Sequence, residues 1–264
     1  MFIDDVEKDL ADEFIEKGFV IRPVDNFVSL QWIKNSITRL ALNNNEINLE
    51  NQETYFLDKF HNYLSVKNLN DFRVKIISQI NNEKILREHY YKISSKYLNC
   101  IVGNELAMQA KINLSIQFPN DESSLLPLHS DTWSGDSPFE VVVWLPLVNC
   151  YNTKSMYILG PKDSETLTKN FSEKSNNNAD NLFNSIKEKI TFLDVKFGEV
   201  LIFNQNLPHG NIVNQETETR WSMNCRFKSI FSPYGDKKLG EFFKPITLKP
   251  ASKIGMEYKF PNVK

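Results

Sequence analysis

Apolar residues in the first hundred positions recur at spacings of three and four. Leu10, Phe14 and Ile15 form one stripe, and Phe27, Leu30, Ile33, Ile37 and Leu40 a longer one, the pattern of helices with one buried face. Tyr55 to Leu64, Phe72 to Ile80 and Ile85 to Leu98 also favour helix, while the polar, Asn-rich stretch Asn43 to Asn51 predicts a loop. One short apolar run, Phe19 to Val24, follows Gly18, breaks the helical period and predicts a strand. From about residue 106 the texture changes to short strand-like runs: Met108 to Phe118, Val141 to Leu147, Met156 to Leu159, Ile190 to Val195, Val200 to Phe203, Gly210 to Val213 and Arg220 to Phe227. These lack a helix at every crossover, so the pattern predicts a mainly β core, an antiparallel barrel or sandwich behind a helical annex, rather than a parallel doubly wound sheet. The polar stretch 162–188, with Asn176, Asn177 and Asn178, is too long for a plain hairpin and reads equally as a lid or a mobile loop.

The 264 residues, 41% hydrophobic and 24% charged, suffice for one sizeable core. A single domain over 1–264 is expected, with a mainly helical layer at 1–105, a β core at 106–232 and an extension at 233–264. Thirty-one Lys and Arg against 33 Asp and Glu leave a formal charge of -2, which gives no electrostatic reason to expect nucleic acid or an anionic membrane as partner. The longest apolar run, Val141 to Val148, is far below the roughly 20 residues of a spanning helix. The acidic opening MFIDDVEKDLADE lacks the order of a signal peptide, so a cytoplasmic address is expected. Cys100, Cys150 and Cys225 are odd in number and far apart, and read as reduced thiols.

Chemistry concentrates around two of only four histidines, at 61, 89, 129 and 209. His61 and His89 lie in the helical annex and carry no motif. His129 stands in LLPLHSDTW, two residues before Asp131, and alternation along an extended segment would aim both at one space. Alone, such a triplet is equally an ordinary hydrogen-bonded pair. His209 belongs to VLIFNQNLPHGNIVNQETETRWSMNCRF, where two apolar runs flank a polar turn at about Asn214 to Thr217. Read as a hairpin, this register sets His209 opposite Ser222 and Asn211 opposite Arg220, all facing inward, with Arg226 on the same face but farther off. Two imidazoles and one carboxylate with open coordination positions are the ligand set of mononuclear non-haem Fe(II) oxygenases, whereas structural zinc closes its tetrahedron, usually with thiolates. Arg220 supplies a planar fork of donors for a carboxylate, and Ser222 a hydroxyl beside it.

The order HxD, a distant His and an Arg eleven residues later resembles the phytanoyl-CoA dioxygenase-like superfamily of Fe(II)- and 2-oxoglutarate-dependent oxygenases. The block DESSLLPLHSDTWSGDSPFEVVVWLPLVNC is similar to a branch found in bacterial carbohydrate-biosynthesis clusters, and the resemblance spans about 106–232. It implies a double-stranded β-helix, a cupin-like jelly roll, with His129, Asp131 and His209 as iron ligands and Arg220, assisted by Ser222, on the distal carboxylate of 2-oxoglutarate. Gln117, Trp133 and Asn211 are candidate pocket residues, although Gln117 and Trp133 read equally as strand packing. O2 is the implied oxidant and the substrate a small molecule such as a sugar, nucleotide sugar or glycan-linked residue. Trp133, Tyr151, Tyr157 and Trp221 are candidates to stack on a sugar ring, and Lys237 and Lys238 to meet a phosphate. In related halogenases a small residue replaces the carboxylate ligand, so the retained Asp131 implies hydroxylation or another oxidation. The alternatives are a cupin-type metal-dependent isomerase or epimerase and a non-catalytic ligand-binding jelly roll.

Overall fold

The computed structural model describes residues 4–45, 55–171 and 179–261. Helix α1 (Asp5–Lys17) stops at Gly18, whose φ of 76° lies in the left-handed region that favours glycine. A Cβ there would fall 2.3 Å from Leu207 Cδ1, the tip of a side chain that can move aside, so it is the conformation that requires glycine at the turn into strand β1 (Phe19–Pro23). Asn26 caps α2 (Phe27–Asn44) by accepting the Ser29 N–H at 2.8 Å. The middle of the predicted stripe of α2 is its buried face: Leu30, Ile33 and Ile37 are fully enclosed, whereas Leu40 is half-buried and Phe27, in the first turn, is exposed. Helices α3 (Val66–Asn81), α4 (Leu86–Lys92) and α5 (Ser95–Ile101) complete the layer.

Two predicted helices differ from this. Tyr55 to Leu64 folds as successive turns with one short 3-10 segment, Phe60–Asn62, because tight turns can also send Phe56 and Phe60 into the core. Ile85 to Leu98 is interrupted at Ile93 and the fully buried Ser94. The Asn43 to Asn51 loop begins later than predicted, since α2 runs through Asn44; 46–51 lie outside the described residues.

The β strands are β2 (Leu106–Gln109), β3 (Asn113–Gln117), β4 (Glu140–Pro146), β5 (Tyr157–Leu159), β6 (Ile190–Phe192), β7 (Glu199–Asn204), β8 (His209–Gly210), β9 (Arg220–Ser229) and β10 (Phe243–Pro245). They form an antiparallel jelly roll of two sheets: a larger one ordered β1-β7-β4-β9-β2-β10, with β3 also paired to β9, and a smaller one ordered β6-β5-β8. The predicted single strand Met108 to Phe118 breaks at Ala110 to Ile112, so that β2 and β3 serve the two halves of the long β9.

Strand β9 has two faces. Trp221, Met223, Cys225 and Phe227 are fully buried, and Trp221 donates its indole N–H to the Leu57 carbonyl at 2.9 Å while its ring meets Phe60 at 5.0 Å. Their neighbours Arg220, Ser222, Asn224 and Arg226 line a cavity instead. Strand β4, buried along its whole length, reads as the unbroken run EVVVWLP because it too is covered on both sides. In the 162–188 insertion, Leu167, Leu182 and Ile186 pack with Leu128, Tyr157 and Leu159 into a second small core against the smaller sheet. Asn176, Asn177 and Asn178 lie outside the described residues. Among the described residues no helix is long and apolar enough to cross a membrane.

Candidate metal and carboxylate site

His129 and His209 form a hydrogen-bonded antiparallel pair: the His129 N–H donates to the His209 carbonyl at 3.0 Å, and the His209 N–H donates to the His129 carbonyl at 2.8 Å. This pairing sets the two rings side by side, centroids 4.3 Å apart. Each Nδ1 lies 2.8 Å from a backbone carbonyl two residues upstream, that of Pro127 for His129 and that of Leu207 for His209. A carbonyl only accepts, so Nδ1 carries the proton in both rings and Nε2 is left as a free lone pair. Asp131 opens a short 3-10 turn, Asp131–Ser134, rather than continuing an extended strand, and the turn sets its Oδ1 3.6 Å from His129 Nε2. One ligand atom from each of the three residues falls within 4.8 Å of the others.

The electrostatics suit a cation. Burial, reinforced by repulsion from His129, draws the His209 pKa down to about 4, so this ring is neutral at neutral pH. Against burial, Asp131 holds His129 above its ordinary value. Burial would raise the Asp131 carboxyl, but the neighbouring His129 and the charge of Arg226 outweigh it and hold it well below its ordinary range. Once His129 gives up its proton in favour of a bound cation, two imidazoles with outward Nε2 lone pairs and one carboxylate on one side of a cavity match an open three-ligand metal site. The thiols stand apart: Cys150 and Cys225 are buried outside the triad, and burial pushes Cys150 up to about 12.

Across the cavity stands Arg220, 4% exposed. Its Nη2 donates to Ser115 Oγ at 3.0 Å and its Nη1 faces the Ser155 carbonyl at 3.4 Å, while Nε has no partner. No carboxylate among the described residues forms an ion pair with it. Burial draws its pKa down to about 10, which still leaves it charged at neutral pH. A desolvated guanidinium facing a cavity without a counter-ion is the complement of a carboxylate ligand. Ser222 lies one alternation further along β9, within the same lining.

The structure brings His129, Asp131, His209, Arg220, Ser222 and Asn211 to one cavity of about 320 Å³. It does so by a different route from the predicted hairpin. His209 pairs with Ile158 and His129, Ser222 with Ser115 and Pro146, and Arg220 with Gln117, so the histidine and the arginine face each other from opposite sheets. The connection 211–219 arches between the sheets, held by Asn214 Nδ2 on the Glu218 carbonyl at 2.8 Å and by Thr219 N–H on the Asp58 carbonyl at 2.7 Å.

Further expectations change. Asn211 lines the cavity, but its amide is engaged, accepting from Leu126 N–H at 2.5 Å and donating to the Ser124 carbonyl at 3.1 Å, so it fastens the 124–126 segment over the site. Gln117 is buried beside Arg220 and donates to the Ile212 carbonyl at 2.7 Å; it does not line the cavity. Trp133 is 39% exposed, edge-on to Phe171 at 4.9 Å, and also lies outside the lining. Tyr157 and Trp221 are packed in cores, and Tyr151 reaches toward Glu218; the aromatic side chains that do line the cavity are Trp144 and Phe203. Lys237 is ion-paired to Asp136 at 2.5 Å. Asn113, Ser115 and Asn224 were missed, although the alternation of RWSMNCRF already places position 224 between Ser222 and Arg226 on one face. His61 bonds Thr219 and His89 stacks on Trp32, away from the triad.

No protein-family model and no curated protein matches the chain. Solved structures do. It superposes on a non-heme monooxygenase in complex with nickel, ThoJ, at TM-score 0.55 and 14% identity, covering 92% of this chain and 86% of that one. The likeness is one of fold. EctD from S. alaskensis matches at TM-score 0.55 and 13% identity over 89% of this chain and 81% of that one. HygX from Streptomyces hygroscopicus, solved with nickel and 2-oxoglutarate bound, matches at 0.52 and 12% over 88% and 90%.

Proposed function

We propose that the protein is an Fe(II)- and 2-oxoglutarate-dependent dioxygenase of the phytanoyl-CoA dioxygenase-like type that oxidises a C–H bond of a small polyhydroxylated molecule, such as a sugar, nucleotide sugar or glycan-linked residue. The observation that carries the reading is Arg220, a buried cation with no counter-ion among the described residues, facing the same cavity as the His129, Asp131 and His209 triad. His129, Asp131 and His209 would hold the metal and Arg220, with Ser222, the distal carboxylate of the cosubstrate. When bound, iron and 2-oxoglutarate supply the oxidant: O2 is consumed, one oxygen atom leaves in succinate as CO2 is released, and the other goes to the substrate. The Pro127 and Leu207 carbonyls keep both imidazoles in the ligating tautomer. Leu126, Val142, Met156 and Phe203 give the cavity apolar walls that limit water, while the engaged amide of Asn211 keeps the 124–126 segment in place.

The polyhydroxylated substrate is favoured by the larger-sheet side of the cavity. Asn113 donates to Asn224 at 2.9 Å across β3 and β9, next to Ser115 and Ser222, and Trp144 is the cross-strand partner of Asn224. Neutral amides and hydroxyls beside one aromatic ring suit hydroxyl groups better than a second charge. The test is an anaerobic titration of the metal-free protein with Fe(II) and then 2-oxoglutarate, followed by the visible charge-transfer band of a keto acid on ferrous iron. The band should form in the natural protein and be lost in Arg220→Leu. Iron binding without a band would overturn the reading in favour of a cupin-type isomerase; sugars and nucleotide sugars are then screened by substrate-dependent succinate release.

A further inference from the structure

Arg226 is the second guanidinium on the cavity face of β9, and its contacts differ in kind from those of Arg220. Its Nη2 lies 2.9 Å and its Nε 3.3 Å from one and the same oxygen, Asp131 Oδ2. Nε also donates to Gln205 Oε1 at 3.0 Å. Gln205 is fully buried and fixed on its other side, donating to the Ser137 carbonyl at 2.9 Å and to Glu140 Oε2 at 3.0 Å, and its own carbonyl accepts the Asp131 N–H at 3.2 Å. From behind, Arg226 Nη2 stands 3.5 Å from Asp136 Oδ2, the oxygen that Lys237 approaches at 2.5 Å. The segment carrying Lys237 is tied to the same turn by the Asp236 N–H on the Gly135 carbonyl at 3.0 Å.

The two oxygens of Asp131 are therefore unequal. Oδ2 is held by the fork of Arg226, and Oδ1 is the oxygen turned toward His129 Nε2. A bare carboxylate beside a dication is drawn to chelate with both oxygens, which would use a position that a bidentate cosubstrate needs. We infer that Arg226, braced by Asp136 and Lys237, is a positioning residue that restricts Asp131 to ligation through Oδ1 and so keeps that position open. This rests on the metal-site reading above. It also assigns the C-terminal extension a part in the centre, through Lys237.

The inference has a sign that a merely structural role does not share. Arg226 competes with the metal for Asp131 and adds a like charge beside it, so removing it should leave metal affinity unchanged or raise it. Cosubstrate affinity should fall. The test is calorimetric titration of metal-free Arg226→Met with Co(II), then of the Co(II)-loaded protein with 2-oxoglutarate. Co(II) should bind at least as tightly as to the natural protein, and 2-oxoglutarate roughly tenfold or more weakly. Arg226→Lys, which keeps a charge but not the fork, should fall between. Lys237→Met should shift both affinities the same way by less, and carries the test if Arg226→Met does not fold. Parallel loss of both affinities, or unchanged 2-oxoglutarate binding, overturns the inference. Failure of the natural protein to bind one Co(II), or undiminished binding by Asp131→Ala, overturns the metal-site reading itself and the inference with it.

Discussion

Replacing Arg220 with leucine separates a ligand-binding cation from a structural one. Its pKa, drawn from the ordinary 12.5 to about 10 by burial, means that the charged group is carried into the fold at a cost of about 3 kcal/mol. What it regains there is the bond to Ser115 at 3.0 Å and a long contact to the Ser155 carbonyl, together on the order of 1–2 kcal/mol. The metal-free, ligand-free Arg220→Leu protein should therefore be as stable as the natural one or more stable by about 1 kcal/mol, a rise of about 2–4 °C in Tm. Ligand binding should change in the opposite direction. A bidentate guanidinium–carboxylate pair contributes about 3 kcal/mol, so the affinity of the metal-loaded protein for 2-oxoglutarate should fall by roughly 150-fold. Thermal unfolding with and without 2-oxoglutarate reads both effects, because the natural protein gains about 2.7 kcal/mol at a hundred times its Kd and the variant should gain only about 0.3 kcal/mol at that concentration. A variant that loses several kcal/mol without ligand yet keeps its response to 2-oxoglutarate would refute the reasoning.

Two further predictions concern the frame of the site. Gly210→Ala would place a Cβ 2.6 Å from Tyr157 Oη and 2.7 Å from the Leu126 carbonyl. Since that backbone cannot yield easily, the substitution should cost about 1–3 kcal/mol in denaturant unfolding and weaken Co(II) binding at adjacent His209; unchanged values would show that the strand has room to shift. Lys154, fully buried, bridges Asp58 at 2.8 Å and Glu218 at 2.7 Å beneath the 211–219 arch. Lys154→Met should cost about 2 kcal/mol, below the value of a sealed pair because Asp58 and Glu218 are partly exposed. The hydrogen bond from Lys154 holds the Glu218 carboxyl below its ordinary 4.5, so its contribution is complete above about pH 4.5 and is lost as pH falls through the lower folded value. The variant should therefore show a flatter loss of stability on acidification, and an acid limb as steep as that of the natural protein would count against the bridge.

Much of the β core was legible in the chain because its signals are local. The eight letters RWSMNCRF alternate so strictly that one face of β9 can be assigned without a structure, and Phe19 to Val24 stands out as a strand between helices. The pairing of His209 was not legible. Alternation says which residues share a space, but a residue opposite on the same sheet and one facing it from another sheet satisfy that condition equally. The polar stretch before Arg220 therefore passed for a hairpin turn, although its Asn214 and Thr219 anchor an arch between sheets. The contact of Arg226 with Asp131 likewise joins segments far apart in the chain, and nothing near Arg226 distinguishes it from Arg220. The break of the Ile85 to Leu98 helix has the same origin: its apolar spacing is helical throughout, and the interruption at Ser94 is set by tertiary burial.

The division of β9 between a sealed face and an open one bears on how such a protein diversifies. Trp221, Met223, Cys225 and Phe227 hold the strand against the helical layer, so its path through the molecule is fixed by residues that no ligand meets. Asn224 and its partner Asn113 can then be exchanged for other side chains without repacking the interior, while Arg220 and Arg226 stay in register on either side of that place. New substrate preferences are thus accessible through single replacements on one face of one strand, with Arg220, the proposed carboxylate clamp, unmoved. The converse also follows. A replacement at Phe60 or Phe72, remote from any ligand but seated on Trp221, would tilt the whole row of cavity groups at once and alter turnover without touching a functional side chain.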